Sequence, residues 1–431
     1  MALTGTRTFV GFGFGAIQSG LFLYEAFLSG AFRRLVVAEV MQEVVSAVRH
    51  ADQAYSVNIA YHDRVDCARV ERVEIQDPAV DADRQQVIEA IAEAEELATA
   101  VPSIAFYISD KPGSIHRLLA AGLCKKIERG GPRAVIYAAE NHNHAAEILE
   151  QQVIEQIPED KRAAVHSRVR FLNTVIGKMS HVVADAGEIQ ARQLATITPD
   201  YPRAFLVESF NRIMISKIEY PEPFQRGIDV FQEKNDLLPF EEAKLYGHNA
   251  THALVGYIGA LQGVQRVADL QEVPGVVPFA RAAFIEESGK ALIRKYGSVD
   301  PLFTQEGYRE YADDLIERMM NPFLVDSIER VTRDTERKLG WNDRLVGTMR
   351  LALQQGIEAR RYAFGAAAAL SVLDGGILDS TSPSALLSRL WGDVTSNAKE
   401  TEAVLTLIEQ ACHRLKAWRA AGFPDLEIFY R

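Results

Sequence analysis

Apolar and polar positions repeat with different periods in the two halves of this 431-residue chain. The first half carries short runs of apolar residues, which alternate with segments whose apolar residues recur every three or four positions. Such alternation of strands and helices is typical of a parallel sheet covered by helices. Strands are predicted at residues 8–10, 35–38, 57–60, 104–108 and 134–137, with helices that include 83–98 and 115–128.

From about residue 239 the helical period dominates, so the second half is predicted to be all-α. The long amphipathic stretches are residues 240–262, 277–295, 305–318, 343–369 and 399–420. Turn signals from Thr198 to Pro202 place a domain boundary there. We therefore expect an α/β domain at 1–200 and a mainly helical domain at 201–431, although 204–216 could be a strand of the first domain.

The composition of the chain limits the partners and the cellular compartment that we expect for this protein. Hydrophobic residues make up 48%, charged residues 24%, and the net charge is −11, which disfavours nucleic acid and anionic membrane as partners. Three cysteines far apart in sequence predict no disulfide framework and a reducing compartment. The N-terminus lacks the pattern of a secretory signal, and the apolar stretch after Gly20 is too short to span a bilayer. We expect a cytoplasmic location.

A glycine-rich turn follows the first predicted strand. It contains Gly11, Gly13 and Gly15 and continues through Ala16, Ile17 and Gln18 into an apolar helical pattern. In a dinucleotide fingerprint, glycines let the backbone approach the pyrophosphate, and a helix N-terminus faces the phosphates. We expect these six residues to contact the cofactor. Gln18 stands where the fingerprint has its third glycine, so a glycine turn without a ligand is the alternative.

The second predicted strand is followed by an acidic residue, Glu39. A carboxylate at this place can accept hydrogen bonds from the adenosine ribose and repels a 2′-phosphate. Glu39 therefore favours NAD over NADP.

Three polar side chains lie close together on the predicted helix after residue 238: Lys244, Asn249 and His252. In an α-helix Lys244 and His252 are separated by about 80° around the axis. Burial can lower the pKa of a lysine from roughly 10.4 by several units, so the amine can act as a base. Asparagine can stabilise a developing oxyanion, and histidine can orient the lysine or the substrate. The alternative without a catalytic role is a solvated surface lysine and a histidine that only fills space in the core.

A metal site is the rival interpretation of the same helix, because His248 and His252 stand four residues apart. The sequence lacks the glutamate that HExxH requires, and no third ligand is evident. We therefore expect no metal.

The stretch from Lys244 to His252 resembles the signature of the polyol-specific long-chain dehydrogenases, the mannitol dehydrogenase family. Residues 238–253 and 321–345 are similar to its mannitol-1-phosphate 5-dehydrogenase branch, and two shorter segments, 139–141 and 171–177, resemble other landmarks of the family. The resemblance implies a Rossmann-type domain followed by a helical domain, with the active site in the cleft between them. It also implies NAD-linked interconversion of a sugar alcohol and a ketose by a monomer or small homo-oligomer.

The resemblance also assigns roles. Lys244 takes the place of the general base, Asn249 and Asn141 those of amides that polarise the reacting oxygen, and His252 that of a substrate-positioning residue. Arg330, Arg333 and Lys338 fall near positions where relatives present polar or basic groups to the substrate. Departures such as His142-Asn143-His144 after Asn141, and Lys178 where an arginine is frequent, leave the substrate open.

The expected substrate is a phosphorylated polyol such as mannitol 1-phosphate. Arg330, Arg333 and Lys338 would form a cationic patch in an otherwise acidic protein, and such a patch can hold an anion. The alternatives are the same reaction on an unphosphorylated polyol, a sugar acid or a sugar-amino acid conjugate. Alternatively, the patch binds no ligand and is part of a solvated helix whose basic residues are balanced by acidic ones. A non-catalytic NAD-binding sensor is the alternative from another class.

Overall fold

The computed structural model describes residues 5–324, 326–375, 383–392 and 397–431. The chain divides into two compact units between Leu238 and Pro239. The first contains the strands and the second is built of helices.

The first unit contains two sheets. Its strands are β1 Arg7–Phe12, β2 Phe32–Ala38, β3 Tyr55–Ala60, β4 Val65–Val70, β5 Val73–Gln76, β6 Glu96–Thr99, β7 Ala134–Ala138, β8 Val169–Val175, β9 Ser180–Val183, β10 Ala204–Glu208, β11 Ile213–Ser216 and β12 Phe231–Lys234. The larger sheet has the order β12-β11-β8-β7-β6-β1-β2-β5, and the smaller has the order β4-β3-β10-β9. The run from β8 to β5 is parallel throughout, while β11 is antiparallel to β8.

Helices connect these strands. They are α1 Tyr24–Ser29, α2 Gln42–His50, α3 Asp81–Glu93, α4 Ile115–Glu128, α5 Ala145–Gln156, α6 Glu159–Arg168 and α7 Ala186–Ala191. Successive strand residues face two different apolar cores, so that Phe9 and Leu35 pack in one while Val10 and Val36 pack in the other. This explains the continuous apolar runs of the central strands, because both faces of the sheet are buried.

Four of the five predicted strands are confirmed, and β3 belongs to the smaller sheet. The strand predicted at 104–108 is wrong, since Ile104–Tyr107 is a short 3₁₀ helix. Several other strands were not predicted. One of them is β6, most of which the prediction had placed inside helix 83–98, whereas α3 ends at Glu93. Pairing of β6 with β1 and β7 decides its conformation, and neither partner is near it in sequence.

The division between the units falls later than the boundary expected at residue 200. Strands β10, β11 and β12 follow that position but belong to the first unit. The reason is long-range pairing: β10 lies beside β3, and β11 lies beside β8.

The regular elements in the described part of the second unit are all helices, and one isolated bridge joins Arg266 to Ser327. Its α-helices are α8 Leu238–Glu242 (which begins one residue before the division), α9 Ala250–Leu261, α10 Val276–Ala282, α11 Lys290–Tyr296, α12 Gln305–Met319, α13 Ile328–Thr332, α14 Thr335–Lys338, α15 Val346–Gln354, α16 Arg360–Leu373, α17 Pro383–Trp391, α18 Ala398–Ala420 and α19 Leu426–Tyr430. The predicted helix 343–369 is two helices, because Gly356 adopts φ +69° after α15. Within the described ranges, no helix combines the length and apolar character that a membrane crossing needs.

Candidate functional site

The glycine-rich turn lies at the carboxyl end of β1, at the centre of the larger sheet. Gly13 has φ +85°, and a Cβ there would stand 3.0 Å from the carbonyl oxygen of Ala100. Its amide donates to the carbonyl of Ala38 at 2.9 Å, which fixes the turn against β2. At Gly15 a Cβ would meet no atom within 4 Å, so space lies beside the backbone at this point. The turn has the conformation and the opening that close approach of a ligand requires.

Gln18, at the position of the third fingerprint glycine, is fully buried in the first turn of a π-helical segment, Gln18–Leu23. A Cβ on Gly11 would overlap the side-chain amide of Gln18, so the glycine on the strand makes room for the glutamine on the helix. Gly20, two residues later, allows the same helix to approach Val207 of β10. The close packing that the third glycine normally permits is thus provided by Gly11 and Gly20.

Glu39 immediately follows β2 and is buried. One carboxylate oxygen accepts a hydrogen bond from the amide of Met41 at 2.8 Å. Because β1 and β2 are parallel, Glu39 and the glycine turn lie at the same edge of the sheet. This is the edge at which ligands bind in open α/β sheets.

These residues fit a dinucleotide. The turn offers space at Gly15, and the buried amide of Gln18 has no hydrogen-bond partner among the described residues. The first turn of a helix also presents main-chain N–H groups, which favour a phosphate. Gly11, Gly13, Gly15, Ala16, Ile17 and Gln18 would hold the pyrophosphate side of the cofactor, and Glu39 the ribose.

Asn141 lies on an exposed loop beyond the carboxyl end of β7. Its neighbour Glu140 is buried and accepts hydrogen bonds from the Thr99 hydroxyl and the Val101 amide, each at 2.9 Å, and from the Tyr107 hydroxyl. Burial raises the pKa of Glu140. This carboxyl group ties the Asn141 loop to the end of β6, a role that the sequence interpretation did not assign.

Lys244 and Asn249 lie in a π-helical segment, Ala243–Asn249, which continues into α9 with His252 in its first turn. The prediction of a shared face assumed α-helical geometry. A π-helix bonds each residue to the fifth along the chain, so the segment changes the angles between side chains. Such segments occur frequently at functional sites. The sequence contains no signal from which this π-helical segment could have been predicted.

The amine of Lys244 titrates at an unusually low pH. Burial lowers its pKa to about 8, with the charge of Arg344 acting in the same direction and that of Glu241 opposing it. The neighbouring His248 is also buried, and burial holds its pKa well below the usual range, helped by the charges of Arg318 and His252. Part of the Lys244 population is therefore the neutral amine at moderately alkaline pH.

His252 makes a contact that was not predicted. Its Nε2 lies 2.7 Å from Oδ2 of Asp326, and the other oxygen of this carboxylate lies 2.6 Å from Nη2 of Arg330. Asp326 is only 3% exposed. The structure thus brings together His252 and Arg330, two predicted site residues, through a carboxylate between them.

The other two predicted cationic residues have different surroundings. Arg333 is exposed and pairs with Glu329 at 3.3 Å. Lys338 is buried, and its amine donates to the carbonyl oxygens of Val331, at 2.7 Å, and Arg333. Burial lowers the pKa of Lys338 to about 8. Lys338 therefore stabilises the carboxyl end of α13, a structural contact that its predicted substrate-binding role did not include.

The described part of the chain contains no group of three or more His, Cys, Asp or Glu side chains arranged to hold a metal ion. Metal independence stays a prediction.

Comparison with known proteins gives two family matches. Residues 7–223 match the mannitol dehydrogenase Rossmann domain, and residues 236–411 match the mannitol dehydrogenase C-terminal domain.

Two solved structures share the fold along almost the whole chain. The ternary complex of Pseudomonas fluorescens mannitol 2-dehydrogenase with NAD and D-mannitol has a TM-score of 0.69 at 16% identity, covering 98% of this chain and 94% of that one. A substrate-free D-sorbitol dehydrogenase has a TM-score of 0.73 at 15% identity, covering 98% and 95%. The predicted fold, an α/β Rossmann-type domain followed by a helical domain, is confirmed.

The packing of Gln18 against Gly11 can be tested by a double-mutant cycle. Gly11→Ala should lower the free energy of unfolding by about 1 to 3 kcal/mol, the usual cost of overpacking. Gln18→Ala in the same chain should recover most of that loss, because it removes the overlapping atoms. Urea unfolding of the four proteins measures both values.

Gly15→Ala is the matched control, since its methyl group would meet no atom within 4 Å. If the double variant unfolds as easily as Gly11→Ala alone, Gln18 is not what Gly11 accommodates.

Proposed function

Since the chain belongs to the mannitol dehydrogenase family and is an oxidoreductase of CH–OH groups, we propose that it interconverts a sugar alcohol and a ketose with NAD, using Lys244 as a metal-independent base. The observation that carries this proposal is the placement of Lys244 with Asn249 and His252 on one continuous helical segment, where burial lowers the pKa of the lysine to about 8. A solvated surface lysine would not show such a shift. The mannitol 2-dehydrogenase that shares the fold was solved with NAD and D-mannitol.

The reaction needs a base for one proton. In the oxidation direction the neutral amine of Lys244 takes the proton of the reacting hydroxyl, and in the reduction direction the ammonium group returns it. The amide of Asn249 donates a hydrogen bond to the oxygen as its charge develops. His252 holds the substrate in position. When bound, NAD supplies the carbon that accepts the hydride.

We propose a phosphorylated polyol, such as mannitol 1-phosphate, as the substrate. Two observations support an anionic group: Arg330 joins the buried carboxylate through Nε and Nη2, so its Nη1 takes no part in that contact, and Arg333 is exposed nearby in sequence. A guanidinium group binds phosphate through charge-assisted hydrogen bonds. An unphosphorylated polyol, a sugar acid or a sugar-amino acid conjugate is the alternative substrate, and a non-catalytic NAD sensor is the alternative function.

Replacing the proposed base tests the mechanism. Lys244→Met should lower kcat by about 10² to 10⁴, the usual contribution of a positioned acid or base, and leave the Kd of NADH unchanged. In the wild type, kcat/KM for alcohol oxidation should rise with pH and level off above about 8, because oxidation needs the neutral amine. For ketose reduction, kcat/KM should fall above the same pH, because reduction needs the ammonium form.

Lys126→Arg is the control for this pH profile, since burial also lowers the pKa of Lys126 to about 8, in the other unit. Its inflection should stay in place. A profile that loses its inflection in Lys126→Arg but keeps it in Lys244→Met contradicts the assignment.

The preference for NAD tests the role of Glu39. Glu39→Ala should weaken NAD binding by roughly tenfold, the effect of losing a charge-assisted hydrogen bond, and should raise the relative affinity for NADP. Isothermal titration with both cofactors measures the change, and Glu43→Ala on α2 is the matched control. Preference of the wild type for NADP would oppose this role.

A panel of substrates separates the candidate classes. We expect turnover of mannitol 1-phosphate or fructose 6-phosphate to exceed that of the unphosphorylated compounds, and Arg333→Gln to reduce this preference for phosphate by about tenfold. Equal kcat/KM values with and without phosphate would favour a neutral polyol. Binding of NAD with no turnover of any compound would favour the sensor.

A further inference from the structure

We propose that Asp326 is a positioning residue that holds His252 and Arg330 in fixed orientations, so that one carboxylate aligns two side chains that contact the substrate. This inference rests on the proposed function and extends it. His252 would accept a hydrogen bond from a substrate hydroxyl, while Arg330 would face an anionic group of the same molecule.

The geometry of Asp326 supports this role. Oδ2 lies 2.7 Å from Nε2 of His252, whereas Oδ1 accepts from Arg330 through Nη2 at 2.6 Å and Nε at 3.0 Å. The carboxylate is nearly inaccessible to water, while the Arg330 side chain is 41% exposed. A buried carboxylate is stable only with charged or hydrogen-bonding partners. Here Arg330 donates to Oδ1, and Nε2 of His252 lies close to Oδ2 without the alignment of a hydrogen bond.

The contact determines which atom of His252 faces away from Asp326. A carboxylate only accepts hydrogen bonds, so we assign the proton of a neutral His252 ring to Nε2, the nitrogen that lies 2.7 Å from Oδ2. Nδ1 of a neutral ring is then an acceptor, and a polyol hydroxyl is the donor that it suits. Asp326 would therefore set both the direction of the ring and the kind of group that it recognises.

Close helix packing holds Asp326 opposite His252. His252 is on α9, and Asp326 lies just before α13, where the Ser327 side chain caps the helix by accepting from the Arg330 amide. A Cβ on Gly259 of α9 would stand 2.8 Å from Ile328 of α13, and one on Gly256 would overlap Val331. The main-chain oxygen of Asp326 also accepts from the Val267 amide at 2.9 Å. Backbone contacts thus fix the carboxylate independently of its side-chain partners.

A double-mutant cycle with Asp326→Asn and His252→Asn tests the coupling. Asp326→Asn alone should raise KM for the polyol and lower kcat/KM by roughly 10- to 100-fold, within the range of coupling for contacting residues. In the His252→Asn background the same change should cost less in kcat/KM than in the wild type, because only the effect of Asp326 on Arg330 remains. The Kd of NAD should stay constant across the four proteins.

Asp269→Asn is the matched control, since Asp269 is an exposed carboxylate that pairs with Arg266 at 2.6 Å. Its kinetics should equal those of the wild type. Equal losses from Asp326→Asn in both backgrounds would show a structural role only, and wild-type kinetics for Asp326→Asn would overturn the inference outright.

A second measurement needs neither turnover nor a folded variant at Asp326. In protein with ¹⁵N-labelled histidine, His252 is assigned by the resonance that His252→Asn removes. We expect Nε2 to carry the proton, and we expect the resonance of this proton to lie far downfield because of the nearby carboxylate. Protonation at Nδ1 alone in the wild type would overturn the inference even if the enzyme is active. Conversely, an enzyme that turns over no polyol or ketose but shows the Nε2 proton would refute the proposed function and leave the contact standing.

Discussion

Burial of charged side chains in the helical unit is the constraint on which the proposed chemistry depends. A charge removed from water must be paired, or its protonation equilibrium must move. Asp326 follows the first course, because Arg330 donates to one of its oxygens and His252 lies close to the other. For Lys244 and His248 burial is the largest cause of a lowered pKa, and the charge of a nearby arginine acts in the same direction in each case. The same physical effect thus yields a fixed carboxylate and an amine that can exchange a proton near neutral pH.

The nucleotide-binding unit shows how packing can absorb a departure from a motif. A glutamine in place of the third fingerprint glycine would ordinarily separate helix and strand. Here the strand residue facing it is Gly11, and the helix approaches β10 through Gly20 instead. The helix and the strand therefore still pack closely, because Gly11 and Gly20 provide the room that the third glycine usually provides. The absence of the third glycine therefore does not by itself show that a turn lacks the close packing of a dinucleotide fingerprint.

The periodic pattern of the chain was sufficient for the fold class, for four of the strands and for the helical character of the second half, since amphipathic helices and buried strands leave strong local signals. It was insufficient at β6, whose four residues form a strand only because β1 and β7 flank them. It was also insufficient at the domain boundary, where strands after residue 200 pair with strands far earlier in the chain. Both failures have one cause, because strand pairing is a long-range interaction that a local pattern does not encode.

The sequence by itself determined the two-unit architecture, the glycine turn, the acidic residue after β2 and the lysine, asparagine and histidine on one helix. These follow from residue type and spacing, which are local properties. Tertiary structure alone decided that Ala243–Asn249 is π-helical, that Lys338 binds main-chain carbonyls and that Asp326 joins His252 to Arg330. The physical reason is that burial and partners depend on elements far apart in the chain, and these set both the pKa of a group and the direction in which it points.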